Sequence, residues 1–153
     1  MGAEPYWYVV PYESDIEAVL QKLRQREFRA GRYNPVMPFP RFPVDLDAEP
    51  APAQHDSIEK ALEDAAEDGT RSILDIQHAA SAPLDGSQTQ FFTAFPLAEA
   101  DLANLFGSAC PTREAVENNG KMWDRIERGS GIYVVLFDNN KASEILFAGY
   151  SFD

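Results

Sequence analysis

Two apolar runs near the end of the chain, separated by a short polar segment, have the hydrophobic pattern of a β-hairpin. The first run spans residues 131–137 and the second spans residues 144–150, and both are rich in β-branched and aromatic residues. Such residues favour strands, and the Asn139-Asn140 pair between the runs favours a tight turn. Because the first run is apolar on both faces, we predict that it is a central strand covered on both sides.

A strand and a long helix are predicted at the beginning of the chain. Residues 6–10 have the composition of a strand. Between residues 16 and 28, apolar side chains recur at the spacing of a helix with one buried face. Ser14 or Asp15 can cap the beginning of this helix, and Gly31 should end it.

Between residues 56 and 129, the sequence pattern predicts shorter helices and strands. Capping residues, β-branched content and glycine or proline at segment ends define them. They are a helix capped by Asp56 with Glu59 and closed by Gly69, strands over residues 70–77 and 90–95, and helices from Pro96 to Gly107 and from Pro111 to Gly129.

Residues 34–55 form a proline-rich arm, with six prolines between residues 34 and 52. A disordered linker would lack apolar anchors, whereas this arm carries Phe39 and Phe42 among its prolines. We therefore expect an arm that lies across the domain, is ordered at least through Phe42 and buries both phenylalanines.

The length of 153 residues fits one domain covering residues 1–153. The pattern predicts an α+β fold. We expect a mostly antiparallel sheet, with the C-terminal hairpin at its centre and about four helices packed on it.

The net charge and the cysteine content limit the partners and the cellular compartment that we expect for this protein. The net charge of −12 opposes binding to nucleic acid or to an anionic membrane. Cys110 is the single cysteine, which fits a reducing compartment and excludes an intramolecular disulfide. The chain carries no apolar stretch of membrane-spanning length. We expect a cytoplasmic monomer or dimer that is neither membrane-bound nor nucleic-acid-binding.

No catalytic or cofactor motif is recognisable in the sequence. The glycine patterns of dinucleotide and P-loop sites and the serine elbow of hydrolases are missing. His55 and His78 have no companion at metal-ligand spacing. Cys110 precedes a predicted helix, where a nucleophile could be activated, although a plain structural thiol is the simpler interpretation. We therefore predict no catalytic residue, no metal and no cofactor.

The chain separates its charges into a basic and an acidic segment. Lys22, Arg26 and Arg29 share one face of the first predicted helix, and Arg32 and Tyr33 follow it. One interpretation is a ligand site in which Arg29, Arg32 and Tyr33 hold an anionic group. The simpler interpretation is that these cations form salt bridges with the acidic helix of residues 56–68.

Residues 45–68 carry nine acidic side chains and one lysine. Such a run is usually a solvated helix face, but it can also dock a basic protein partner. In the docking interpretation, the carboxylates that contact the basic partner are those of Glu59, Glu63, Asp64, Glu67 and Asp68. The spacing of a calcium loop is missing, so no metal site is predicted here.

Three segments, residues 26–35, residues 67–76 and residues 131–153, resemble a family of small, uncharacterised bacterial cytosolic proteins. The resemblance implies a single bacterial domain and brings no activity, cofactor or site residue with it. In acidity and size the chain is also similar to toxin-neutralising immunity proteins, an analogy that rests on no motif.

Two functions from different classes follow. The leading hypothesis is a non-enzymatic interaction protein of immunity or inhibitor type, whose acidic surface binds a basic protein partner. The alternative is a small enzyme or ligand-binding domain that holds an anionic group through the Arg/Tyr patch under the proline-rich arm. A pocket lined by the arginines would favour the alternative, whereas a flat acidic face would favour the first.

Overall fold

The computed structural model describes residues 3–37, 40–50, 55–84 and 91–152. Its elements are β1 (Pro5–Pro11), α1 (Ile16–Ala30), α2 (Ile58–Ala65), β2 (His78–Ala79), β3 (Thr93–Pro96), α3 (Glu99–Phe106), α4 (Arg113–Glu117), β4 (Gly131–Asp138) and β5 (Lys141–Tyr150). The described chain also contains the 3₁₀ helices Ala66–Asp68, Ile73–Asp75 and Gly120–Arg125. Together they form one α+β domain, which confirms the predicted fold class.

The strands form one mixed sheet in the order β1-β5-β4-β3-β2. The two long pairings, β1 with β5 and β4 with β5, are antiparallel, whereas the short pairings of β3 with β2 and with β4 are parallel. Asn139 and Asn140, with φ of 51° and 62°, make the turn between β4 and β5. The predicted hairpin at the centre of the sheet is thus confirmed.

Each face of the sheet is covered by a separate apolar cluster. On one face, Tyr133 of β4 packs with the buried side chains of α1. On the other face, Val134 packs with Val116 of α4 and Met122 of the following 3₁₀ helix. The alternation along β4 therefore buries both of its faces, as the sequence predicted.

The sequence locates both ends of α1. The Asp15 carboxylate accepts a hydrogen bond from the backbone N–H of Ala18 at 3.0 Å, which satisfies one of the free donors of the first turn. Gly31 ends the helix in the left-handed region with φ of 69°, a conformation that costs glycine little.

Residues 70–77 do not form the predicted strand. Ser72 caps a 3₁₀ helix, Ile73–Asp75, by accepting from the backbone N–H of Leu74 at 3.2 Å. The buried Asp75 carboxylate accepts from both the backbone N–H and the hydroxyl of Thr70 at 2.8 Å. These local side-chain bonds replace the ladder bonds of a strand, and strand pairing begins only at β2.

Several predicted boundaries also differ from the structure. Ser57, and not Asp56, caps α2, because its hydroxyl accepts from the backbone N–H of Lys60. The strand predicted over residues 90–95 begins at Thr93, and residue 90 lies outside the described residues. Pro96 ends this strand, so α3 begins only at Glu99. The helix predicted from residue 111 to 129 is divided into α4 and a 3₁₀ helix.

The proline-rich arm crosses the edge of the sheet beside β1. The Phe42 ring lies 5.2 Å from the ring of Tyr8 and 5.6 Å from that of Trp7, two side chains on opposite faces of the strand. Phe42 packs against the core beneath α1, and it is partly buried where full burial was predicted. The predicted anchor Phe39 lies outside the described residues.

Candidate functional site

A wide groove, here called the basic groove, lies between α1 and the arm and encloses about 1050 Å³. One wall is formed by the cationic side chains of Lys22, Arg26, Arg29 and Arg32. The opposite wall is formed by Leu46, Ala48 and Pro50 of the arm. The structure therefore brings Arg29 and Arg32 together with the arm.

The helical repeat explains why the cations share this wall. Residues 22, 26 and 29 are spaced by four and three positions, so their side chains project from one side of α1. The buried stripe beside them contains Val19 and Leu23, which hold the helix against the sheet. The three cations therefore lie on a helix that is held in place by its packing against the sheet.

Glu27 fixes two of the arginines. Its carboxylate is fully buried, at 0% exposure, although glutamate is rarely buried without a partner. Arg32 donates from Nε to Oε2 at 2.5 Å, and Arg26 donates from a terminal nitrogen to Oε1 at 2.8 Å. One carboxylate thus orients two guanidinium groups, which reduces the freedom they would lose on binding a ligand.

The remaining charges leave the groove positive. Lys22 pairs with Glu13 at 2.9 Å, both side chains being exposed. Arg29 is exposed and forms no ion pair with any residue that the structure describes. Among the residues that line the groove and their ion-pair partners, the four cations and the carboxylates of Glu13 and Glu27 leave a surplus of two positive charges.

Tyr33 lies apart from the groove. It is fully buried, stacks on the Phe28 ring at 5.7 Å and forms a 2.9 Å hydrogen bond between its hydroxyl and Nδ1 of His55. The other ring nitrogen of His55 lies 3.1 Å from the Asp64 carboxylate. Tyr33 therefore joins the end of α1 to α2, and it does not contact the same space as Arg29 and Arg32.

The acidic surface, defined as Glu59, Glu63, Asp64, Glu67 and Asp68, faces solvent. All five side chains are exposed, because α2 buries its narrow apolar face instead. Asp64 pairs with His55, and Glu63 lies 3.4 Å from Lys60. Within the described residues, no ion pair joins this surface to the arginines of the basic groove, and Glu27 takes the role that the sequence interpretation gave to the acidic helix.

Two ionisable groups, one on α1 and one on the 3₁₀ helix beneath it, are held in the core. Burial lowers the pKa of the Arg24 guanidinium, against the raising effect of Glu59 and other carboxylates, and this group donates to the Leu74 carbonyl at 3.0 Å. Burial raises the pKa of Asp75, although hydrogen bonds from Thr70 act in the opposite direction. These groups tie α1 to the 3₁₀ helix below it and do not reach the groove.

Cys110 and His78, which the sequence analysis also considered, lie outside the basic groove. Cys110 is exposed, and His78 lies 3.0 Å from the Glu17 carboxylate at the surface. In the parts of the chain that the structure covers, no group of three or more histidine, cysteine, aspartate or glutamate side chains could hold a metal ion.

Sequence analysis missed Glu27 and the groove wall formed by Leu46. A signal for Glu27 exists, since residue 27 continues the spacing of Val19 and Leu23, so a glutamate there falls on the buried stripe. An arginine directly before it and another five residues later are its natural partners. No local signal indicated that residues 46–50 would lie opposite α1.

Comparisons with protein-family models, curated proteins and solved structures found no match to this chain. The resemblance to bacterial cytosolic proteins therefore stays a prediction. No helix within the described residues combines the length and apolar composition needed to cross a membrane.

Proposed function

We propose that the protein is a ligand-binding domain that holds a small anionic molecule in the basic groove. The observation that carries this proposal is the row of four cations on one groove wall, two of which are oriented by the buried Glu27 carboxylate. Guanidinium groups offer paired donors that match carboxylate and phosphate oxygens. A surplus of two positive charges among the lining residues and their partners suits a small multivalent anion such as pyrophosphate.

The surrounding charge favours a compact anion over a polymeric one. The chain carries a net charge of −12, so most of its surface repels polyanions. A nucleic acid would have to extend beyond the groove onto that surface, whereas a small phosphate ester or dicarboxylate stays within it. Because the groove is open to solvent, its attraction for the ligand should weaken as salt increases.

Isothermal titration calorimetry with inorganic pyrophosphate tests the proposal directly. Arg29→Gln removes one groove cation that has no ion-pair partner among the described residues, so the substitution leaves no described carboxylate without a partner. We expect it to weaken pyrophosphate binding about tenfold, as for the loss of a charge-assisted hydrogen bond of roughly 1.5 kcal/mol. Lys141→Gln is the matched control, because it removes the same charge from an exposed position in the β4–β5 hairpin.

Two results would contradict the proposal. The first is that pyrophosphate releases no measurable heat with the wild-type protein at low salt. The second is that both substitutions weaken binding equally, since this would mean that the anion responds to net charge alone and not to the groove.

A second candidate function is the binding of a basic protein partner by the acidic surface, as in an immunity or inhibitor protein. It is favoured by the exposure of all five carboxylates, three of which, Glu59, Glu67 and Asp68, form no ion pair within the described chain. Affinity capture with wild-type protein and with a Glu63→Lys, Glu67→Lys variant tests it. A Glu99→Lys, Asp138→Lys variant, altered at exposed carboxylates elsewhere, is the control.

The partner should be captured by the wild-type protein and by the control, and lost by the variant. Its association rate should then show the salt dependence of a charge-steered complex. Equal capture by the variant and the control would exclude the acidic surface as the interface.

A further inference from the structure

A second cavity of about 490 Å³ opens beside the basic groove and is here called the tryptophan pocket. Its walls are mainly apolar and come from β1, the arm and the segment after α3. The principal apolar lining residues are Trp7, Val9, Val44, Val116, Met122 and Trp123. Trp7 and Trp123 are the only tryptophans of the chain, and their rings meet edge-on at 6.0 Å.

The pocket follows the free edge of β1. The sheet order leaves one side of β1 unpaired. On the paired side, Ser151 donates its backbone N–H to the carbonyl of Glu4, and Tyr12 donates to that of Ser143. In an antiparallel ladder the paired residues alternate, so the even-numbered residues from 4 to 12 face β5, and the backbone groups of Trp7 and Val9 face outward.

The outward backbone groups of Trp7 and Val9, two residues that line the pocket, are available for hydrogen bonds. Pro5 and Pro11 occupy the other outward positions of β1 and have no amide donor, which protects the ends of the edge. Trp7 and Val9 retain both N–H and C=O, and no described residue forms a hydrogen bond with these groups. A few polar groups set in an apolar cavity of this size are typical of small-molecule sites, which enclose roughly 300–1000 Å³.

The pocket and the groove are adjacent. Arg26 and Leu46 line both of them, so these two residues form the boundary between the two spaces. The charged groups of the pocket are Arg26, Arg113 and Glu117, and Glu117 is already paired with Arg113 at 2.7 Å. A positive guanidinium group therefore lies where the apolar cavity meets the basic groove.

We propose that the ligand is an amphipathic anion, with a carboxylate or phosphate head in the basic groove at Arg26 and an apolar body in the tryptophan pocket. This inference rests on the proposed function and adds the class of ligand to it. The apolar walls would contribute affinity in proportion to the buried chain, and Arg26 would fix which end enters the groove.

Tryptophan fluorescence is a specific reporter, because both tryptophans line the pocket. We would titrate the protein with butanoate, hexanoate and octanoate, which share one head and differ in chain length. Each added methylene should tighten binding about fourfold while the pocket fills, which corresponds to roughly 0.8 kcal/mol per buried methylene. Octan-1-ol should bind at least about tenfold more weakly than octanoate, because it lacks the charged head.

Gly120→Leu adds an apolar side chain at the lining of the pocket without a collision at Cβ. Gly120 lines the pocket, and a Cβ added there would meet no heavy atom within 4 Å. We expect the ratio of octanoate affinity to pyrophosphate affinity to fall at least tenfold in this variant. Asn118→Leu is the control, since residue 118 is exposed, adjacent and outside the pocket lining.

The outcomes separate this inference from the proposed function. Affinities that do not change with chain length, or a Gly120→Leu variant that behaves like the control, would overturn the inference while pyrophosphate binding remains intact. Equal binding of octanol and octanoate would overturn the placement of the head. Failure of pyrophosphate to bind would instead overturn the proposed function itself.

Discussion

Glu27→Gln is the substitution for which the structure makes the sharpest prediction. It keeps the shape of the side chain and removes the charge that Arg26 and Arg32 share. Because the carboxylate is fully buried, water cannot take its place as the partner of the two guanidinium groups. We expect a large loss of stability from a change of a few atoms.

The magnitude follows from burial. Removing one partner of a fully buried pair costs roughly 3–5 kcal/mol. The Arg26 side chain is 37% exposed and can regain solvent, so the expected cost is lower, about 2–4 kcal/mol. For a chain of this size, the melting temperature should fall by about 5–10 °C. A typical domain has a total stability of roughly 5–15 kcal/mol, so the variant should still fold.

Urea unfolding followed by circular dichroism measures this cost. Glu13→Gln is the matched control, because it breaks the exposed Lys22–Glu13 pair and should cost at most about 0.5 kcal/mol. Arg32→Gln should be less costly in the Glu27→Gln background than alone, because the two residues are coupled. If Glu27→Gln destabilises the protein no more than Glu13→Gln does, the buried carboxylate does not hold the groove together.

Three further variants test the remaining parts of the structure. Val134→Asp should abolish soluble expression, since it places a charge on a buried face of β4, and normal folding would contradict a central position for this strand. Glu63→Lys with Glu67→Lys should change the melting temperature little, because no ion pair within the described residues joins them to the groove arginines; a large fall would revive the salt-bridge interpretation. For Asp75→Asn we expect a change in the pH dependence of urea unfolding. Burial raises the native pKa of Asp75 above 3.8, so its contribution to stability is full below about that pH and is lost as pH rises through the native value. The wild-type protein should therefore lose more stability than the variant over this interval, and identical slopes would contradict the shift.

The location of the charged residues could be predicted from the sequence, whereas their pairing could not. The sequence located the basic residues on one side of α1 and the acidic residues on α2, because helical spacing determines which side chains share a face. It could not say which charges meet. Arg26 is paired with its neighbour Glu27 and not with α2, since the packing of α1 on the sheet buries residue 27.

Local pattern determined the hairpin, the limits of α1 and the α+β class. Alternation, helical spacing and capping residues act over a few positions, and they were sufficient for β4, β5 and Gly31. The local pattern was wrong for residues 70–77. Their composition is typical of a strand, but the hydrogen bonds from Thr70 to the buried Asp75 carboxylate stabilise a different local structure.

Only the tertiary structure decided the candidate site. The basic groove needs Leu46 opposite Arg26, and the tryptophan pocket needs Trp7 beside Trp123, residues that are far apart in the sequence. Such contacts depend on where the arm crosses the edge of β1, which is fixed by the packing of Phe42 against the rings of that strand. Local spacing carries no information about that crossing, because the apolar anchors of an arm specify that it packs but not the surface on which it packs.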